Sequence, residues 1–336
     1  MKIGIMSFAH VHAAGYARLL AATPGIEVVA ADPGDHPDGE VRGAMLAAEL
    51  GVYYLDDYED LFTWEPDAVI ITSENARHRA DVERAAAAGA HILCEKPLAT
   101  SWEDALAIRD AVARAGVTAM IAHPVRFSSD FARFRAQYRA GALGEVVAVR
   151  AANNGKMPTG RSWFTDPQLS GGGALADHVV HIADLVDALT GATPVRVTAT
   201  SNRLLYADRD AESAAVILVE YSDGMIAALD SSWSVPQQAP AWGGLQMSVL
   251  GTGGTVDVDF FGSAVRGVTS SGQAVEARYG ADLDATMLTC FLEAVRTGAQ
   301  PQPDLETGLR GLSIVLAAQE SAQTGRTVDI AELMER

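Results

Sequence analysis

Short apolar runs recur through the first third of the chain, at Lys2–Met6, Ile26–Ala31, Ala68–Thr72, His91–Cys94 and Thr118–Ala122. Ala-rich windows with helical spacing lie between and beyond them, at Val11–Ala22, Val41–Leu50, Ala76–Ala88 and Trp102–Ala115. Apolar strands separated by single helices pair in parallel through right-handed crossovers, with helices over both faces of the sheet. The pattern predicts a doubly wound α/β domain over residues 1–122. Thr100 and Glu103 have the spacing of a capping box for its last helix. After Ala122-His123-Pro124 the period changes. Phe127–Arg139 reads as an amphipathic helix that Gly141-Ala142-Leu143-Gly144 stops. Period-two runs follow at Glu145–Ala152, Val195–Leu205, Ala214–Tyr221, Met225–Trp233, Leu245–Leu250 and Thr255–Phe260. Such runs pair mainly antiparallel, so residues 123–336 are expected to form an α+β domain on an open, mainly antiparallel sheet. Helices near Leu283–Thr297 and Leu305–Thr324 close the chain, and no Pro/Gly/Ser-rich linker separates the two domains.

Composition narrows the class. With 336 residues, 49% of them hydrophobic, the chain can bury one large core or two ordinary ones. The apolar runs are too short and too often broken to span a bilayer, and no secretory signal opens the chain, so a cytoplasmic protein is expected. Cys94 and Cys290 both fall in apolar segments, which predicts buried free thiols in a reducing compartment. A formal charge of −18 argues against nucleic acid as a partner, because a phosphate-binding face needs clustered Lys and Arg.

Candidate chemistry concentrates at the strand ends. Gly89-Ala90-His91-Ile92-Leu93-Cys94-Glu95-Lys96-Pro97 reads as a buried strand ending in a rigid turn. Parallel sheets place ligands beyond the carboxyl ends of their strands, so Lys96 stands where a cofactor and a substrate could meet, with Glu95 available to pair with it. The bland alternative is a surface Glu–Lys pair. The loop after the first strand should hold a dinucleotide pyrophosphate. It reads Ser7-Phe8-Ala9-His10-Val11-His12, with Ser7, Ala9 and His12 where the fingerprint places glycines. Small Ser7 and Ala9 can partly serve; at His12 either the helix stands off or the imidazole turns toward the ligand. Asp32 ends the second strand, where an acid accepts the ribose hydroxyls, and Pro33-Gly34-Asp35-His36-Pro37-Asp38 holds no base for a 2′-phosphate. That favours NAD over NADP.

A second concentration lies on the helix Ala174–Thr190. Leu175, Val179, Ile182, Val186 and Leu189 form one stripe, and Asp177, His181, Asp184 and Ala188 another nearly opposite. The polar stripe lacks Lys, Arg and Glu, which suits a cleft better than open water. Asp177 lies one turn from His181, close enough to orient its ring. Gly171-Gly172-Gly173 lets the helix start approach another backbone or a ligand closely. Among eight histidines, the pairs His10/His12 and His178/His181 lack a third ligand at diagnostic spacing, so no metal is expected.

Glu95-Lys96-Pro97 after an apolar strand, together with the segment Gly171 to Asp184, resembles the Gfo/Idh/MocA family of nicotinamide-dependent oxidoreductases acting on sugars and cyclitols. Gly141-Ala142-Leu143-Gly144-Glu145-Val146, Gly251-Thr252-Gly253-Gly254-Thr255-Val256 and Gly325-Arg326-Thr327-Val328 extend the resemblance nearly end to end. It implies an amino-terminal Rossmann domain and a homodimer or homotetramer formed through the carboxy-terminal sheet. Thr72-Ser73-Glu74-Asn75-Ala76-Arg77-His78 is similar to the family segment near the nicotinamide, although Asn75 also reads as a helix N-cap. The expected cofactor contacts are therefore Ser7, Phe8, Ala9, His10, His12, Asp32, Thr72, Asn75, His78, Glu95 and Lys96. In the expected reaction, hydride moves between NAD and a carbinol carbon of a polyhydroxylated substrate. His181 is the acid or base, Lys96 stabilises the oxygen, and Asp177 holds the pair in place. Arg126, Lys156, Arg161, Trp163 and His178 are the substrate-binding candidates. The alternatives are a non-catalytic or sensory protein with weakened cofactor binding, or an NAD-using glycosidase of the same fold.

Overall fold

The computed structural model describes residues 1–34 and 36–336, so Asp35 of the loop after the second strand lies outside the described residues. Residue contacts divide the chain into two units. The first comprises Met1–His123, Pro158–Gly171 and Asp284–Leu309; the second takes Pro124–Met157, Gly172–Leu283 and Arg310–Arg336. A single cut after residue 122 therefore misplaces two later segments, which return to the first unit.

The first unit is built on a six-stranded parallel sheet: β1 (Lys2–Met6), β2 (Glu27–Ala31), β3 (Tyr53–Leu55), β4 (Ala68–Ile71), β5 (His91–Cys94) and β6 (Ala119–Ile121), in the order β3-β2-β1-β4-β5-β6. The order reverses beside β1, so the carboxyl ends of β1 and β4 flank the switch point where open α/β sheets bind ligands. The expected doubly wound sheet is borne out. β3 and the helix Tyr58–Thr63 after it were not anticipated, because Tyr53-Tyr54-Leu55 is too short for a period to show. Ser101, not Thr100, caps the helix Trp102–Ala115, its hydroxyl accepting the Asp104 N–H at 3.2 Å.

The second unit carries β7 (Val146–Gly155), β8 (Pro194–Asn202), β9 (Ala214–Tyr221), β10 (Ile226–Ser232), β11 (Gly243–Gly251), β12 (Gly254–Asp259), the separate hairpin β13 (Ala264–Val268) and β14 (Ala274–Arg278), and β15 (Val328–Asp329). Its main sheet runs β12-β11-β7-β10-β9-β8-β15. Only the β7–β10 pairing is parallel, so the sheet is open and mainly antiparallel as the period-two runs imply. Buried positions alternate along β9, where Ala215, Ile217, Val219 and Tyr221 face the core with Leu175, Val179, Ile182 and Val186 of the helix Ala174–Thr190. Burying a single such aliphatic side chain stabilises by about 2 kcal/mol, so this layer contributes substantially to the unit's stability.

Candidate active site

The loop after β1 is folded inward upon itself. Ser7 stands at φ 75°, in the left-handed region the fingerprint would give to a glycine. Its hydroxyl accepts the Ala9 N–H at 3.0 Å and donates to Asp32 Oδ1 at 2.9 Å, which secures an otherwise unfavourable conformation. Ser7 N–H goes to Ala31 O and His10 N–H to Thr72 O, while Thr72 Oγ1 donates to Ser7 O at 2.7 Å. From the segment 158–171, Trp163 Nε1 donates to Ala9 O at 2.9 Å and Arg161 Nε to the same carbonyl at 3.1 Å. Phe8 and Ala9 are fully buried. Arg161 and Trp163, expected over a substrate cleft as part of the second domain, belong instead to the first unit and clamp the nucleotide loop; these hydrogen-bond donors are taken up by its carbonyls.

Asp32 ends β2 as expected and is 2% exposed. Its carboxylate receives Arg42 Nη2 at 2.7 Å, Arg42 Nε at 3.1 Å and Gly43 N–H at 3.1 Å. Burial alone would raise this carboxyl; the hydrogen bonds and charge of Arg42, with the Phe8 N–H and the Ser7 hydroxyl, outweigh it and hold the group below its usual range. Residues 33–38 hold no base, but Arg42, at the start of the next helix, folds back onto Asp32. Its charge is shared with Glu74, 3.3 Å away, so it is already neutralised by two carboxylates.

Glu95 and Lys96 leave β5 into a cis Lys96–Pro97 peptide. Both are buried, at 0% and 3% exposure, which excludes the surface-pair reading. Glu95 Oε1 accepts from Tyr16 Oη at 2.7 Å and lies 2.9 Å from His12 Nδ1; Oε2 accepts the Lys96 N–H at 3.1 Å. Burial would raise the Glu95 carboxyl, but His10, His12 and Lys96 hold it well below the usual carboxylate range. For His12, burial lowers the ring's proton affinity and Glu95 more than restores it, so its pKa is raised. The His12 ring thus turns to Glu95, and His10 lies edge-on to it with centroids 4.3 Å apart. Neither Tyr16 nor the partnership of His12 with Glu95 has a signal in the sequence.

Beyond β4, Asn75 does not cap the following helix. It sits in a 3-10 turn and its Nδ2 donates to Ser170 O at 2.7 Å. His78 is fully buried, and burial pulls its pKa below the usual value. Its Nδ1 lies 2.9 Å from Pro97 O, which ties the helix His78–Ala87 to the turn that carries Lys96.

In the second unit the helix Ala174–Thr190 begins against Glu212. A Cβ on Gly173 would lie 1.9 Å from Glu212 O, so only glycine permits the approach. Glu212 Oε1 accepts the N–H groups of Gly173 and Leu175 at 2.7 and 3.0 Å, satisfying donors that a helix start leaves open. Asp177 Oδ2 accepts from Trp233 Nε1 at 3.1 Å and lies 3.2 Å from His178 Nε2. His178 is fully buried, edge-on to Trp242, and the His181 side chain is half-buried. Lys156 Nζ donates to Ala239 O at 2.6 Å. Arg126 and Asp184 are 8% and 2% exposed and paired at 2.6 Å, so the guanidinium expected to hold substrate is committed to a buried carboxylate. Asp184 itself is pushed up to about 6, by burial that Arg126 only partly offsets. Of the two cysteines, Cys94 is buried as expected, whereas Cys290 is exposed on the helix Leu283–Thr297.

Two family models match this chain. One, described as an oxidoreductase family with an NAD-binding Rossmann fold, covers residues 4–123; the other, the GFO/IDH/MocA C-terminal domain, covers residues 131–257. The NADP-dependent D-xylose 1-dehydrogenase 2 of Haloferax volcanii is 31% identical over 295 residues, 87% of this chain and 89% of that protein. The 1,5-anhydro-D-fructose reductase of Ensifer adhaerens is 26% identical over 86% of this chain and 88% of its own. Among solved structures, GenD2 from gentamicin A biosynthesis, in complex with NAD, superposes with a TM-score of 0.86 at 25% identity, covering 98% of this chain and 96% of that one. The chain belongs to the GFO/IDH/MocA oxidoreductase family, and residues 4–123 match its NAD-binding Rossmann domain.

The residues present fit that cofactor. Asp32 supplies an ionised carboxylate at the end of β2. Beyond β4, Asn75 Oδ1 is buried with no hydrogen-bond partner among the described residues, an acceptor open to an amide or hydroxyl donor. Between them the small Ser7 and Ala9 keep side-chain bulk low along the loop.

Proposed function

We propose that the protein is an NAD-dependent dehydrogenase acting on a carbinol carbon of a sugar, cyclitol or related polyol. The observation that carries this reading is Lys96, an almost fully buried ammonium at the carboxyl end of β5 in an NAD-binding sheet. Burying an ammonium there is costly unless negative charge meets it, and a developing alkoxide on a bound substrate would join Glu95 in doing so. NAD supplies the hydride acceptor or donor when bound. Lys96 donates a hydrogen bond to the substrate oxygen and lowers the cost of its negative charge. His181 takes up or returns the hydroxyl proton, and Asp177, steadied by Trp233, orients the imidazole side of the site. Asp32, Thr72, Asn75, His78 and Glu95 are assigned to the nucleotide or to the turns that hold it, as is the loop Ser7, Phe8, Ala9, His10 and His12. Lys156 and His178 remain the candidates for the substrate's hydroxyls. Purified protein incubated with NAD+ and a panel of aldoses, cyclitols and anhydro-sugars should show nicotinamide reduction with at least one of them. Hydrolysis of a glycoside without net reduction would favour the glycosidase reading instead.

The protein is also proposed to be a cytoplasmic homo-oligomer. No helix among the described residues is long and apolar enough to cross a membrane. Across the outer face of the second unit's sheet, Val216 and Leu218 of β9 and Ile226 of β10 are exposed, at 58%, 42% and 45%. Uncovered aliphatics on neighbouring strands suit contact with a second copy of the sheet. Light scattering from the eluting protein should give a dimer or tetramer, and a monomer would contradict the assignment.

A further inference from the structure

We propose that His10, His12 and Glu95 form a binding site for a divalent first-row transition-metal ion, of which zinc is the best match to the donor set. The sequence offers two histidines one residue apart and no third ligand at useful spacing. Folding supplies it, because Glu95 at the end of β5 arrives beside the loop after β1 across a separation of 83 residues. One ligand atom from each of the three side chains lies within 4.8 Å of the others.

The distances suit a small ion. Glu95 Oε1 stands 2.9 Å from His12 Nδ1 and 3.8 Å from His10 Nδ1. Zinc with imidazole and carboxylate ligands at about 2.0–2.2 Å needs ligand atoms roughly 3.4 Å apart in a tetrahedron, so shifts of about half an ångström bring both Glu95–histidine pairs to that spacing. His10 Nδ1 accepts the His12 N–H at 3.2 Å, so a bound ion would take over the lone pair that this hydrogen bond now uses. Two imidazoles and one carboxylate select zinc-class ions over magnesium and calcium, which take oxygen ligands.

The surroundings hold the ligands in place. The loop is pinned through Ala9 O by Trp163 and Arg161, and His10 N–H by Thr72 O. Tyr16, fully buried, donates to Glu95 Oε1 at 2.7 Å and orients it as an outer-shell partner does in metal sites. His12 is 32% exposed, which gives an ion a way in and leaves a fourth position open to water or a ligand oxygen. The site requires no nucleotide, but it uses side chains that the dehydrogenase reading assigns to the nucleotide loop, so its test is made on nucleotide-free protein.

The test uses the full chain, stripped with a chelator and free of nucleotide, titrated calorimetrically with zinc chloride and separately with cobalt(II) chloride while visible absorption is recorded. One zinc per chain should bind with micromolar or tighter affinity, and cobalt should give the absorption bands of low-coordinate, nitrogen-containing ligation. His12→Ala and the nearly isosteric Glu95→Gln should each weaken zinc at least about tenfold and abolish the cobalt bands. Tyr16→Phe should weaken binding about tenfold while keeping the bands, as loss of an outer-shell partner does. Zinc uptake by the parent chain no tighter than by His12→Ala, or cobalt without bands in the parent, overturns the site.

Discussion

Lys96→Ala and His181→Ala should each cut turnover on an identified polyol by about a hundredfold or more, the usual loss when a positioned acid, base or charge stabiliser is removed. The two substitutions should differ in character. Lys96 is buried beside Glu95, so its removal leaves that carboxylate with the histidines and Tyr16 as its remaining partners, and the loss should persist at every pH. Removal of a general base should instead be partly offset as pH rises and the hydroxyl ionises more readily, so His181→Ala should recover some rate in alkali. In both variants NAD affinity should stay within a few fold, because both side chains are assigned to the substrate oxygen. Stopped-flow single-turnover measurements with a calorimetric titration of each variant check this. Turnover that survives either change removes that residue from the mechanism.

The two-domain reading was legible wherever period and length agreed. β1 and β5 fall on the residues that the apolar runs gave, because each run is bounded by a polar residue, glycine or turn. Segments that return from later in the chain were invisible: nothing in Arg161 or Trp163 says that they close on Phe8 and Ala9, since a loop's partner is fixed by topology and not by local pattern. The same limit hid Arg42 from Asp32, Glu212 from the helix at Ala174, and Glu95 from His10 and His12. Local rules also competed. Thr100 and Ser101 are adjacent hydroxyl residues with acids three further on, and the structure uses the second. Asn75 has the chemistry of an N-cap, but the backbone first makes a 3-10 turn and spends its amide on Ser170. Arg126 read as a substrate ligand because its burial beside Asp184 cannot be inferred from an isolated guanidinium.

Cofactor choice follows from the same corner of the first unit. With its carboxyl held ionised, Asp32 repels a 2′-phosphate while its oxygens accept ribose hydroxyls, and Arg42 cannot offset this without releasing two carboxylates. NAD+ should therefore bind at least about tenfold tighter than NADP+, a difference of about 1.4 kcal/mol. Asp32→Ser should narrow the gap by leaving Arg42 to meet the phosphate.

Calorimetric titration of the purified parent chain with NAD+ and with NADP+ is the most direct measurement of whether this chain is a working member of its family. The account predicts saturable binding of one NAD+ per chain and weaker binding of NADP+. Tighter NADP+ would contradict the role of Asp32, and binding of neither would contradict the dehydrogenase itself and leave a protein that kept the fold without the cofactor.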